Sequence, residues 1–212
     1  MIRFKDFIFI TVALFLTGCQ YPPKAIAPSV KQASFSFQRE KAPKGLYLND
    51  ISQILELPDE EIDIGKAALV VTKMEYPDLD TDKYLKIIDG YADELRKRLQ
   101  GITYPLLIVS KINYYLFEEL KYTTAPPLDA NNPFGRSNKN DTFINYVIDT
   151  KKGNCVTLSF LYLAITERLG LSCHGVAHPG HFFVQYYDGR TKVNIETTDK
   201  GKEHTKEEYD EQ

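Results

Sequence analysis

A change from one long apolar segment to three short ones constrains the fold more than any other feature of this sequence. From Cys155 the chain is largely apolar to Leu169, and Gly170 follows, as is typical of the end of a buried helix. Short runs rich in Val and aromatic residues come next, bounded by Pro-Gly and Asp-Gly pairs, at 171–177, 181–187 and 191–197. These breaks predict three strands of a small antiparallel sheet, packed against the helix that begins at Cys155.

A helical region at 46–120 is predicted ahead of this core. Apolar side chains recur at helical spacing at 62–74 and 84–99, and 105–120 is a third candidate helix. A short helix is also predicted at 142–149, ahead of the core helix. Asp80 or Thr81 is suited to cap the second of these helices, and Pro105 to the first turn of the third. The predicted fold class is therefore α+β, with the helical region packed on the core.

A polar segment at 121–140 interrupts the chain before the core helix. It contains Pro126-Pro127, Asn131-Asn132-Pro133 and further Asn and Asp residues. A loop of this length inside a domain more often has a function than serves only as a connection. We hypothesise that it covers a cleft beside the core helix, or that the helical segment does so as a separate interaction domain.

The N-terminus is typical of a secretory signal. Arg3 and Lys5 precede a ten-residue apolar run from Phe7 to Leu16. As a helix this run reaches about 15 Å, half the thickness of the hydrocarbon core, so a signal is favoured over a transmembrane helix. Leu16-Thr17-Gly18-Cys19 then resembles the lipobox of bacterial lipoproteins. The alternative is an ordinary signal peptide that happens to contain a Cys.

The lipobox resemblance implies an exported, lipid-anchored protein. Cleavage before Cys19 removes residues 1–18, and acyl chains on Cys19 bind the membrane. Gln20 resembles an outer-membrane sorting signal if the host is Gram-negative. We expect the protein in the bacterial cell envelope, facing the periplasm or the exterior.

The composition indicates a folded domain without a nucleic-acid partner, and we expect a monomer. The 212 residues are 43% hydrophobic, and 26 Lys and Arg face 29 Asp and Glu, which gives a formal charge of −3 and no general attraction for a polyanion. The predicted division of the chain is a signal peptide at 1–18, a tether at 19–45, the helical region at 46–120, the core at 121–200 and an acidic tail, solvated or frayed, at 201–212.

Three residues of the core are placed for nucleophilic chemistry. Cys155 opens a helix, where unpaired amides and the helix dipole favour a thiolate, so a lowered thiol pKa is expected. The helix runs about 21 Å from Cys155, and the strand from Leu171 returns about 23 Å to the turn before His181. The thiol and the imidazole should then meet. Glu196 on the third strand can orient the imidazole, which gives the order nucleophile, base, acid.

The Cys and His residues also have simpler interpretations. Cys155 alone is more often a core thiol than a nucleophile. A disulfide with Cys173 is disfavoured, because Cys173 follows the far end of the helix, beyond the roughly 7 Å that a disulfide spans. His178 flanks the same turn as His181 and is the rival base. His174 and His178 lie about 13 Å apart on one strand, so zinc is disfavoured, and no metal or cofactor is expected.

Several motifs, weak individually, are specific in their order along the chain. They are 63–69 (DIGKAAL), 75–80 (EYPDLD), Asn113 with 116–120 (LFEEL), 152–159 (KGNCVTLS), 161–164 (LYLA), 168–171 (RLGL) and 179–184 (PGHFFV). Together they resemble the transglutaminase-like cysteine enzymes with a papain-like core, especially their bacterial branch with an added helical region. The resemblance implies that Cys155 is the nucleophile, His181 the general base and Glu196 the orienting acid, where Asp is commoner in the family.

These observations predict a membrane-tethered cysteine enzyme that acts on amide bonds of a peptide or protein in the cell envelope. Its acyl-enzyme passes to water, as in a peptidase or amidase, or to an amine, as in a transglutaminase. Amides at the helix start are expected to stabilise the oxyanion. Asn154, Asn140 and Ser159 are interpreted as caps or turn residues. The alternative function is a non-catalytic lipoprotein that binds a peptide or an envelope protein in the same cleft.

Overall fold

The computed structural model describes residues 37, 39, 41–126, 139–205 and 208–209. The predicted signal peptide, the lipid site at Cys19, most of the tether and residues 127–138 of the polar loop lie outside these ranges. Within them, no helix is both long enough and apolar enough to cross a membrane.

Helices form most of the first part of the described chain, and a small sheet follows. The helices are α1 (Ile51–Glu56), α2 (Ile64–Glu75), α3 (Thr81–Arg98), α4 (Pro105–Asn113), which continues as a π-helical turn (Tyr114–Glu119), α5 (Ile144–Thr150) and α6 (Cys155–Arg168). The strands are β1 (Thr123–Thr124), β2 (Lys152–Gly153), β3 (Cys173–His178), β4 (His181–Tyr187) and β5 (Lys192–Ile195). The prediction of an α+β fold is confirmed.

Local signals in the sequence explain where the helices begin. The Asp63 side chain accepts a hydrogen bond of 2.7 Å from the amide of Lys66 at the start of α2. Asp80 accepts one of 3.0 Å from the amide of Lys83 at the start of α3, so Asp80, and not Thr81, is the cap. Each cap satisfies an amide that has no partner within the helix.

Helix α6 lies at the centre of the fold. It packs against α2 and α3 as well as against β3 and β4. Most of its side chains are buried, among them Leu161, Tyr162 and Ile165. Because close packing leaves little room for displacement, the helical region and the sheet together fix the position of the helix and of Cys155 at its start.

Buried charges hold the far end of α6. The fully buried side chain of Asp63 accepts a hydrogen bond of 2.9 Å from Arg39 and lies 3.5 Å from Arg168. Arg39 also pairs with Glu167 at 3.0 Å, and Arg168 pairs with Asp89 of α3. Breaking such a group leaves an uncompensated buried charge, which is strongly destabilising. The group therefore ties the C-terminal end of α6 to α2 and α3.

Strands β3, β4 and β5 form an antiparallel sheet in chain order. His178 pairs with His181 across the hairpin at Pro179-Gly180, and Val184 pairs with Ile195. Gly180 has a φ of +76°, which residues other than glycine rarely adopt. The hairpin thus brings the first residue of β4 to the end of the sheet.

The third strand is shorter than the predicted 191–197. It ends at Ile195, and Glu196 lies one residue beyond it. A tight turn follows at once: the amide of Glu196 donates to the carbonyl of Lys202 at 2.9 Å, and its carbonyl accepts from the amide of Gly201 at 2.8 Å. Glu196 therefore starts this turn and is not part of the strand.

Candidate active site

Cys155 is the first residue of α6, and a capping box sets its position. The Asn154 side chain accepts hydrogen bonds of 3.0 Å from the amides of Val156 and Thr157, and the Thr157 hydroxyl accepts one of 3.1 Å from the amide of Asn154. The Thr157 hydroxyl also donates to the carbonyl of Asp141 at 2.8 Å. Asn154 is therefore a cap, as interpreted from the sequence.

The position before this cap has room only for glycine. A Cβ on Gly153 would lie 2.8 Å from the Thr157 hydroxyl oxygen and 2.8 Å from Cγ2 of Val147. Gly153 also pairs with Thr124 in the short parallel ladder between β1 and β2. The backbone that leads into Cys155 is thus held by neighbours on more than one side.

The structure brings Cys155 together with the other two predicted site residues. The Cys155 side chain forms a hydrogen bond with His181. Nε2 of His181 lies 2.5 Å from Oε2 of Glu196, which leaves Nδ1 as the ring nitrogen for the thiol. Cys155 begins α6, His181 begins β4 and Glu196 follows β5. A thiol, an imidazole and a carboxylate therefore form one hydrogen-bonded series.

Charge is concentrated on the imidazole and the carboxylate. Burial by itself lowers the pKa of His181, but the hydrogen bonds with Cys155 and Glu196 outweigh it and raise that pKa to about 10. Burial raises the pKa of Glu196, but hydrogen bonds from His181 and Thr198 outweigh it and lower that pKa. Near neutral pH the pair is therefore an imidazolium beside a carboxylate.

Thr198 fixes the carboxylate of Glu196. Its amide donates to Oε1 at 2.8 Å, and its hydroxyl makes a short hydrogen bond to the same oxygen. Oε2 stays directed at His181. Glu196 is only 2% exposed, so the carboxylate is shielded from bulk water. The turn that begins at Glu196 therefore also orients the Glu196 carboxylate.

The amides at the start of α6 are mostly occupied, which corrects the expectation that several face an oxyanion. Those of Val156 and Thr157 donate to the Asn154 side chain, and that of Leu158 donates to the Asn154 carbonyl. Within the described ranges, the amide of Cys155 donates to no other group. Of the amides at the start of the helix, this one is therefore left available for an oxyanion.

The rival Cys and His residues lie outside this series. Cys155 and Cys173 are both free thiols, and burial raises the pKa of Cys173 to about 12. His178 lies opposite His181 in the hairpin, but the hydrogen bond to Glu196 comes from His181. No group of three or more potential metal ligands is assembled in the part of the chain that the structure describes.

Tyr209 also packs against the site, and it is not among the site residues predicted from the sequence. Its side chain is 2% exposed, and its ring stacks on Phe183 and on His181, with centroids 4.0 Å and 5.8 Å away. The acidic tail is therefore not simply solvated. Its sequence carries a signal for the helical turn that bears Tyr209, since Thr205 and Glu208 have the capping-box spacing that marks a helix start.

Comparisons with known proteins identify distant relatives. The UPF0162 protein of Xylella fastidiosa is 28% identical over 134 residues, which are 63% of this chain and 45% of that protein. F-box only protein 21 of Homo sapiens is 22% identical over 174 residues, 72% of this chain and 27% of that protein. The chain spans less than half the length of either relative. No solved structure matches it significantly.

A family profile also matches the chain. The profile of the transglutaminase-like superfamily matches residues 82–212, more than half of the chain. The matched range includes Cys155, His181 and Glu196, and it extends through the C-terminal tail. The chain therefore belongs to the transglutaminase-like superfamily.

Proposed function

We propose that this protein is a membrane-tethered cysteine enzyme that acts on amide bonds through a thiol acyl-enzyme. The observation that carries the proposal is the hydrogen-bonded series of Cys155, His181 and Glu196 at the start of a buried helix. Membership of the transglutaminase-like superfamily supports a cysteine-based enzyme fold. The nucleophile, its proton partner and an orienting acid are the groups that such chemistry needs.

In the first half-reaction the sulfur of Cys155 attacks the carbonyl carbon of an amide. During this attack His181 holds the proton of the thiol, in keeping with the raised pKa of that imidazole. As the carbon–nitrogen bond breaks, His181 gives this proton to the leaving nitrogen, and an amine departs from a thioester on Cys155. The amide of Cys155 donates to the oxyanion that forms on the way, a contribution of about 3 kcal/mol per donor in related chemistry.

In the second half-reaction water or an amine attacks the thioester. His181, now neutral, takes the proton of the nucleophile, and the Cys155 sulfur leaves as a thiolate beside the imidazolium. Water yields a carboxylic acid, whereas an amine yields a new amide. Throughout, Glu196 accepts a hydrogen bond from the N–H at Nε2 of His181, without taking the proton. This hydrogen bond keeps Nδ1 turned towards the sulfur.

We further propose that acyl chains on Cys19 anchor the enzyme in the bacterial cell envelope, where its substrate is a peptide or protein. The support is the lipobox-like segment that follows a short apolar run. Labelled palmitate should be incorporated by the wild-type protein in a bacterial host that processes lipoproteins, and not by Cys19→Ala. A wild-type protein without label would refute the anchor.

Alkylation of the purified protein by iodoacetamide, measured as a function of pH, tests the catalytic pair. Cys155→Ser separates the signal of Cys155 from that of Cys173, and His181→Ala removes the proton partner. We expect the wild-type thiol to react at neutral pH much faster than a free cysteine, and to lose this advantage in His181→Ala. Peptide substrates with and without an amine acceptor then distinguish hydrolysis from transfer.

A slow thiol with the pH dependence of free cysteine, unaffected by His181→Ala, would contradict the enzyme proposal. The protein would then serve the alternative function, the binding of a peptide or an envelope protein. Equal binding of peptides by the wild-type protein and by Cys155→Ser, without turnover by either, would support that alternative.

A further inference from the structure

The C-terminal tail packs directly on the proposed catalytic pair. The ring of Tyr209 lies nearly parallel to that of Phe183, with centroids 4.0 Å apart and planes 7° apart. It also stacks on the imidazole of His181, with centroids 5.8 Å apart and an angle of 28°. Phe183 and His181 lie on one face of β4, two residues apart, so one ring covers both.

Local hydrogen bonds hold Tyr209 in this place. The amide of Thr205 donates to the Glu208 side chain at 2.6 Å, and the amide of Glu208 donates to the Thr205 hydroxyl at 3.3 Å, which forms a capping box. The amide of Tyr209 donates to the Thr205 carbonyl at 3.3 Å. The His204 carbonyl accepts from the Asn194 side chain of β5 at 2.9 Å. The turn that carries Tyr209 is therefore tied to the sheet.

The Tyr209 hydroxyl is buried beside the Glu196 carboxylate, although its geometry falls short of a regular hydrogen bond. Burial raises the pKa of Tyr209, and the charge of Glu196 raises it further, so the phenol stays neutral at physiological pH. A neutral ring and a neutral hydroxyl thus face the charged pair.

We propose that Tyr209 is a positioning residue that holds the His181 imidazole in the orientation that reaches both Cys155 and Glu196. This inference rests on the proposed function, because it assigns the tail a role in the same site. An aromatic face stabilises an adjacent cation and limits rotation of the ring stacked on it. Exclusion of water by the same ring strengthens the charge-assisted hydrogen bonds of the pair.

Several titratable or aromatic groups surround the His181 imidazole and can affect its titration. Cys155 of α6 and Glu196 after β5 form hydrogen bonds with it, and Tyr209 stacks on it. His178 of β3 lies opposite it in the hairpin, and the ring of His204 is 5.6 Å from that of Tyr209. The signals of His178 and His204 must therefore be assigned separately, so that the measured titration belongs to the site imidazole.

Tyr209→Ala, Tyr209→Phe and Tyr187→Ala in the full chain test the proposal. Tyr187 lies on the same face of β4, about 20 Å along the strand from His181, and serves as the matched control. The two readouts are the His181 pKa, from an NMR titration of the imidazole signals, and the rate of Cys155 alkylation by iodoacetamide against pH.

In Tyr209→Ala we expect the His181 pKa to move towards its ordinary value by at least about one pH unit, and alkylation at neutral pH to fall about tenfold. Tyr209→Phe should restore both values, since it keeps the stacked ring. Tyr187→Ala should leave both unchanged. If Tyr209→Ala does not fold, Tyr209→Leu keeps an apolar side chain without the aromatic face and is measured in its place.

Two results would overturn the proposal. Faster alkylation in Tyr209→Ala would mean that the tail only blocks the thiol. An unchanged His181 pKa together with lower thermal stability would mean that the tail only contributes packing. Failure of the proposed function gives a different result, because the wild-type thiol would then react like an ordinary cysteine. Failure of this inference is seen instead in the comparison of Tyr209→Ala with the wild-type protein.

Discussion

Glu196→Gln removes the charge that faces His181 and preserves the shape of the side chain. The amide oxygen of Gln can still accept from Thr198, the partner that fixes Oε1 in the native site. An NH₂ group then faces Nε2, where a carboxylate oxygen lies at 2.5 Å in the native protein. This group cannot accept the Nε2 proton, so the substitution isolates the stabilisation of the imidazolium.

The magnitude follows from the pKa of His181. The difference between about 10 and the ordinary 6.5 corresponds to roughly 5 kcal/mol in favour of the imidazolium, at about 1.4 kcal/mol for each pH unit. A hydrogen bond to a charged group contributes about 1.5–3 kcal/mol. Glu196→Gln should therefore lower the His181 pKa by about one to two pH units, to about 8 to 9, and the hydrogen bond with Cys155 should supply the rest.

The assay is an NMR titration of the imidazole signals, with thiol alkylation at neutral pH measured in parallel. Asp199→Asn is the matched control, because Asp199 pairs with Lys202 and His204. We expect this control to keep the wild-type titration of His181. A Glu196→Gln titration that coincides with that of the wild type would refute the reasoning, because the carboxylate would then not stabilise the imidazolium.

Three further predictions concern the residues that hold the site and the core. Asn154→Ala should remove the cap of α6 and lower the free energy of unfolding in urea by about 1 kcal/mol; an unchanged midpoint would contradict the capping role. Burial raises the pKa of Glu167 from 4.5 to about 7, so the folded protein keeps a proton that the unfolded chain loses, and the free energy of unfolding should fall as the pH rises between these values. Glu167→Gln should remove that part of the fall, and a profile identical with the wild type would exclude Glu167 as its source. Gly175→Ala should destabilise the protein by about 1–3 kcal/mol, because a Cβ would lie 2.2 Å from Cζ of Phe182. Gly90→Ala, where a Cβ meets nothing within 4 Å, is its control, and equal melting temperatures for the two would argue against the clash.

Elements with a strong local signal could be predicted closely from the sequence. The segment 181–187 matches β4, because turn pairs bound it on both sides. The core helix begins at Cys155 as predicted and ends at Arg168, one residue before the predicted Leu169. Known rises per residue, together with a strand that packs antiparallel to the helix, then bring His181 back to the start of the helix and pair the imidazole with the thiol.

Contacts made by turns and by the tail could not be predicted in this way. The apolar pattern extends the third strand past Glu196, because backbone hydrogen bonds such as the one to Lys202 leave no periodic signal. Tyr209 is one aromatic residue among charged neighbours, so no apolar period indicates its burial. Which helix-start amides remain for a substrate depends on the orientation of the Asn154 side chain, which residue type does not specify.

The raised pKa of His181 also determines when Glu196 acts. An imidazole with a pKa of about 10 already holds a proton at neutral pH, so it cannot take one from the thiol during attack on a substrate. Under the proposed function the imidazolium is therefore present before substrate binds, and Glu196 stabilises it in the resting protein. Substitution of Glu196 should then slow alkylation, which needs no substrate, by the same factor as turnover. A base with an ordinary pKa would behave differently, because loss of the carboxylate would slow turnover and leave alkylation unchanged.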